Sequence, residues 1–171
     1  MLRIAALILF CSAGSAVAET TWDVLQRFGY VGVWSVDCTH PPTRTNFFSI
    51  LSKDPKGFVR RDVDRGEKLP LALSVIENAQ LISPLTLKAR IRNTDPNWGK
   101  LNNLTYDVVM IKEVASVTEE IKRLRVIESA VSDGRVIAKG GILLKLGKPT
   151  FWQYRCHNEV SQIDISHEAA N

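Results

Sequence analysis

Beyond Gly29 the chain reads as strands and turns. Leu85, Leu87, Ala89 and Ile91 alternate with Thr86, Lys88, Arg90 and Arg92. That period of two predicts a strand with one face buried and the other in water. Leu104, Tyr106, Val108 and Met110 alternate in the same way with Thr105 and Asp107. Further strands are predicted from Gly32, over 46–51, 58–64, 69–77, 121–128, 136–146 and 151–156. Turn residues divide them. Asp54-Pro55-Lys56-Gly57 is a turn, another lies near Asn78, and 93–99 is a loop. Asp133-Gly134 is a two-residue hairpin signal, Gly140-Gly141 marks a bulge or sharp bend, and Gly147-Lys148-Pro149 turns the chain into its last strand.

Only one segment has helical spacing. Trp22, Leu25 and Phe28 share a face, Thr20 is a hydroxyl N-cap with Asp23 three residues on, and Gly29 ends the segment. Two turns are too short to stand alone, so this apolar stripe needs a surface to pack on. The predicted fold class is therefore all-β: an antiparallel up-and-down β-barrel of about eight strands with one short N-terminal helix. Strand alternation alone is equally compatible with a sandwich.

Composition supports one globular domain. There are 171 residues, 45% hydrophobic and 23% charged, with a formal charge of +4. That excess is too mild to indicate a nucleic-acid partner. The first eighteen residues change the picture. Arg3, an apolar run from Ile4 to Phe10 and the small-x-small site Ala16-Val17-Ala18 read as a secretory signal cut after Ala18, leaving 19–171 as the domain. The run is well short of the ~20 residues of a membrane span, so no transmembrane segment is expected. Removing it takes away one cation and no anion, and leaves +3 on 153 residues.

It also takes Cys11, so three cysteines become two. In the periplasm or outside the cell an even pair, Cys38 and Cys156, reads as a disulfide. The alternative is two free thiols or metal ligands. Asp37 and His40 flank one cysteine, and His157 and Glu159 the other, so a bridged pair would bring four candidate ligands together. A solvated strand end accounts for them as well, and no metal is assigned. No serine lies in a Gly-x-Ser-x-Gly elbow and no glycine loop has dinucleotide or phosphate spacing, so no catalytic residue and no cofactor is assigned.

Gly32-Val33-Trp34 opens the first strand directly after the helix, and Arg155 precedes Cys156 on the last. This arrangement resembles the lipocalin and wider calycin pattern. The resemblance implies a barrel whose first and last strands are neighbours, with Arg155 packed over Trp34 by a cation–π contact. The run from Phe28 to Cys38 also resembles the Phe-Gly-x-x-Gly-x-Trp-x-x-Asp-Cys opening of small secreted proteobacterial proteins with no settled function. The lipocalin Thr-Asp-Tyr run is not evident here.

The function expected is a secreted or periplasmic, non-catalytic binding protein holding a small apolar or amphipathic ligand inside the barrel. Leu87, Ala89, Ile91, Tyr106, Val108 and Met110 are the candidate lining, with the loop residue Trp98 at the mouth or exposed as an anchor. The alternative is a protein-interaction or inhibitor module with a filled barrel. It would act through its loops and a basic face, formed by Lys88, Arg90, Arg92 and Lys100, with Arg60, Arg61 and Arg65 as a second cluster.

Overall fold

A computed structural model describes residues 19–115 and 120–156. The helix forms as α1 (Thr21–Phe28). The Thr20 hydroxyl accepts from the Asp23 backbone N–H and the Asp23 carboxylate accepts from the Thr20 N–H, so two orphan donors are satisfied reciprocally. Gly29 ends the helix at φ +83. Val24, Leu25 and Phe28 are buried. Lys112 donates to the Phe28 carbonyl at 2.8 Å, with its ammonium 4.7 Å from the ring centroid.

Eleven antiparallel strands follow in one sheet: β1 (Gly32–Ser35), β2 (Phe48–Lys53), β3 (Val59–Asp64), β4 (Ala72–Ser83), β5 (Thr86–Asn93), β6 (Thr105–Val114), β7 (Ile121–Val131), β8 (Val136–Lys139), β9 (Ile142–Leu143), β10 (Lys148–Pro149) and β11 (Tyr154–Arg155). The order is β10-β9-β8-β7-β6-β5-β4-β3-β2-β1-β11. The meander predicted from alternation is present, but the strand count of about eight is not. The difference lies after β7. The expected single strand over 136–146 is two short strands, because Gly140 and Gly141 both take positive φ, +57 and +76, and fold the chain back on itself, and the expected turn at 147–149 holds a further short strand, with Lys148 and Pro149 paired to β9. The turn expected near Asn78 is instead a bulge. β4 runs on through it, with the register shifting between Ile76 and Asn78.

The sheet curls into a half-barrel rather than the full up-and-down barrel expected. β11 pairs with β1 through Trp34–Arg155 and Ser35–Tyr154. Its neighbour Gln153 exchanges two backbone hydrogen bonds, 2.8 and 2.9 Å, with Leu124 of β7. The first and last strands are thus neighbours, and the disulfide Cys38–Cys156 joins their ends with Cα atoms 5.4 Å apart.

The concave side is apolar. Trp34, Phe28, Leu25, Leu87, Met110 and Leu124 are the largest fully buried side chains. β5 carries the predicted alternation, with Leu87, Ala89, Ile91 and Asn93 buried between exposed Lys88, Arg90 and Arg92. α1 packs at the end of the curl where Gly29 meets Ile121 and Trp22 lies near Phe58. The β3–β4 and β5–β6 connections gather elsewhere, where Asn97 donates to the Leu71 carbonyl at 2.9 Å. Among the described residues no helix is long and apolar enough to cross a membrane. The expected signal segment and its cut after Ala18 lie outside the described residues.

Candidate functional site

Inside the curl is a cavity of about 260 Å³. β5 supplies Ile91 and Asn93, β6 supplies Tyr106, Val108 and Met110, and β7 supplies Val126 and Ser129. These side chains point inward because each strand alternates and its other face is charged. Of the seven residues expected to meet a ligand, Ile91, Trp98, Tyr106, Val108 and Met110 line the cavity. Leu87 and Ala89 share the inward face of β5 but pack into the core cluster with Leu25 and Phe28.

Trp98 is brought to the cavity by a 3-10 helix, Pro96–Leu101. Asp95 caps it by accepting from the Asn97 backbone N–H, and Pro96 occupies a first-turn position where no donor is needed. The Trp98 indole N–H donates to the Leu73 carbonyl at 2.6 Å, and the Arg65 guanidinium lies 5.3 Å from the ring centroid. The loop tryptophan therefore folds back over the curl. Asn93 fixes the other end of this loop, accepting from the Ser74 hydroxyl at 3.0 Å and donating to the Leu101 carbonyl at 2.9 Å. Leu101 and Ile137, 42% and 37% exposed, lie where the cavity reaches solvent.

The walls are apolar, but the polar groups among them are unusual. Arg61 belongs to the inner face of β3, between Val59 and Val63, whose side chains are buried. Its Nε donates to the fully buried Ser49 hydroxyl at 2.7 Å. Among the described residues no Asp or Glu lines the cavity. Among the described residues the buried Gln153 Oε1 has no hydrogen-bond partner, and the buried Tyr106 hydroxyl has the Asn93 side chain beside it but makes no well-formed hydrogen bond. Burial is the largest influence on the Tyr106 phenol and pushes its pKa above the ordinary value, so it stays a neutral donor. A buried polar atom without a well-formed hydrogen bond carries a desolvation cost, and two of them at one cavity call for an explanation.

Reading Arg61 as part of an outer basic cluster is corrected here. Arg60 is the outward residue and pairs with Asp62 at 2.6 Å. The strand period was the available signal, since Val59, Arg61 and Val63 share one phase. The aromatic pair Trp152 and Tyr154 reads in sequence as the core face of the last strand, with Phe151 opposite, yet Gln153 is the buried residue and Tyr154 is 39% exposed. Trp152 lies against the guanidinium groups of Arg123 and Arg125, 4.3 and 4.6 Å from its ring centroid.

Trp34 is fully buried beside the cavity. Its indole N–H donates to the Tyr30 carbonyl at 2.8 Å, and the two ring centroids are 6.1 Å apart. Tyr30 in turn lines the cavity. Arg155 stands opposite Trp34 in register, but the expected cation–π contact between them is not formed, and its guanidinium instead donates to the Val31 carbonyl at 3.1 Å.

The remaining candidates do not converge on the cavity. Asp37 accepts from the Thr39 hydroxyl and backbone N–H and lies 2.7 Å from His40 Nδ1. The hydrogen bonds from Thr39, then the one from His40, hold the Asp37 carboxyl down at about 2. His157 and Glu159 lie outside the described residues, and among those described no group of three metal-ligating side chains forms. The basic face of β5 is largely neutralised. Arg90 makes a two-point contact with Asp107 at 2.8 and 2.9 Å, and Arg92 pairs with Glu77, which the β4 bulge presents to it. Comparison with family models, with curated proteins and with solved structures found no match.

Proposed function

We propose that this protein is a non-catalytic binding protein that holds a small amphipathic ligand within its curled sheet, as the lipocalin-like resemblance also suggests. One observation carries the reading: an apolar cavity in which, among the described residues, Arg61 has no acidic counterpart, the Gln153 Oε1 has no partner and the Tyr106 hydroxyl makes no well-formed hydrogen bond. The cavity exceeds the ~150 Å³ of an engineered apolar cavity that holds one benzene, and lies just below the ordinary range of ligand pockets. Its occupant is therefore compact. The apolar walls take a short hydrocarbon or ring. A cation beside a neutral phenol donor favours a negatively charged head group, since charge-assisted hydrogen bonds are the strong ones. The disulfide fits an oxidising compartment, and we assign the protein to the periplasm or the extracellular space.

Anilinonaphthalene sulfonate, a compact apolar anion, tests this. The folded chain is expected to enhance its fluorescence with saturable binding. Ser129→Phe, which places a ring in the cavity, is expected to abolish that enhancement while leaving the melting temperature near the native value. Equal enhancement by the native protein and by Ser129→Phe would move the binding out of the cavity and overturn the reading. A protein-interaction module with a filled interior is the second reading. The poorly satisfied polar atoms count against it, because a filled core leaves few of them.

A further inference from the structure

Beyond β7 the chain leaves the run of long strands and forms a small flap of three short ones, β8, β9 and β10. Lys139, Ile142 and Pro149 stand side by side across it in register. The flap combines cations with exposed apolar side chains. Between Val136 and Phe151 the chain has Lys139, Lys145 and Lys148 and no acidic residue. None of these three lysines forms an ion pair among the described residues. The same stretch leaves large apolar side chains in solvent: Ile142 at 39%, Leu144 at 53%, Leu146 at 61% and Phe151 at 49%. A contiguous exposed apolar patch marks an interaction site.

We propose that this flap docks the protein on an anionic lipid surface. The combination of apolar side chains with unpaired lysines matches a bilayer interface, where hydrocarbon enters the boundary region and ammonium groups meet lipid phosphates. A second copy fits poorly, since a two-fold contact would set lysines against lysines. Strand addition fits poorly too. The outer strand β10 has two residues, and one of them is Pro149, which has no N–H to donate. Docking would also bring the cavity to the surface, because Ile137 of β8 lies on the cavity wall.

Vesicle co-sedimentation tests the proposal with the chain from Glu19, which contains every described element. Vesicles of phosphatidylglycerol mixed with phosphatidylcholine are expected to carry the protein down, and vesicles of phosphatidylcholine alone are not. Each lysine near an anionic bilayer strengthens binding roughly fivefold, so the triple variant Lys139→Glu, Lys145→Glu, Lys148→Glu is expected to bind at least about a hundredfold more weakly. About 0.5 M salt should release the native protein by screening. Leu144→Ser with Leu146→Ser is expected to weaken binding about tenfold or more. Ile82→Ser with Leu85→Ser, which removes exposed apolar groups at the β4–β5 turn, is expected to leave it unchanged. Circular dichroism melts confirm that each variant is folded. Equal binding to both vesicle types, or flap variants that sediment like the native chain, would overturn the proposal. So would a dimer in sedimentation equilibrium that the flap variants dissociate without lipid.

Discussion

Replacing both half-cystines tests how this chain holds its last strand. β11 has two residues, and apart from the Gln153 bridge it is attached to β1 through Trp34–Arg155, Ser35–Tyr154 and the hydrogen bond from the Cys156 N–H to the Val33 carbonyl. So few hydrogen bonds stabilise weakly on their own, at about 1 kcal/mol each net of water. The disulfide acts mainly on the unfolded chain. It closes a loop of 118 positions, and the chain-entropy relation gives about 4.9 kcal/mol at 25 °C for a loop of that length. That is comparable to the entire stability of a marginal domain, roughly 5 kcal/mol at the low end. Residual structure in the denatured chain reduces it, so it is an upper bound. The assay is urea unfolding of Cys38→Ala with Cys156→Ala against the native protein, followed by tryptophan fluorescence. With a slope of about 2 kcal/mol per molar urea, the midpoint is expected to fall by up to roughly 2.5 M, or the variant to be unfolded at the outset. A shift below about 0.5 M at equal slope would refute the reasoning, because the bridge would then constrain neither state.

Three further outcomes follow from particular contacts. Gly66 sits at φ +87, and a Cβ there would lie 2.4 Å from the Pro42 carbonyl oxygen, so Gly66→Ala is expected to lower stability by more than about 1 kcal/mol in the same urea assay. Leu87 is fully buried in the core, and Leu87→Ala is expected to cost about 2–5 kcal/mol, read as a lower melting temperature with the disulfide intact. The Asp37 carboxyl is held at about 2 against an ordinary 3.8 by its Thr39 and His40 hydrogen bonds. A carboxyl lowered by folding adds stability above its unfolded value and loses it as pH falls through the folded one, so its contribution fades between pH 3.8 and about 2. Asp37→Asn is expected to reduce the acid-side slope of stability in that window, measured by urea midpoints across pH.

Much of the fold was legible because one face of each long strand is apolar and the other charged. The Leu87–Ala89–Ile91 phase, the capping box at Thr20 and the cysteine parity all rest on local chemistry, and the structure reproduces each of them. Two other features depend on long-range pairing. Gly140-Gly141 signalled a bend, but whether β8 continues or reverses depends on two positive φ values and on the pairing of Lys139 with Ile142. Over 151–154 aromatic residues fall in both phases, so local pattern could not choose the buried one; the bridge between Gln153 and Leu124 does. Arg61 was misplaced although its phase was readable, because a charged residue is ordinarily assigned to water. Its inward position gives the cavity its positive charge.

The central claim is that a compact amphipathic acid occupies the space between β5, β6 and β7. The most direct measurement is an amide NMR titration of the folded chain with octanoate and, in parallel, with octanol. The account predicts saturable shifts clustered at Ile91, Tyr106, Val126 and Ser129, tighter for the acid than for the alcohol, with that difference lost in Arg61→Leu. Shifts confined to surface lysines, or none at the cavity walls at saturating octanoate, would contradict it.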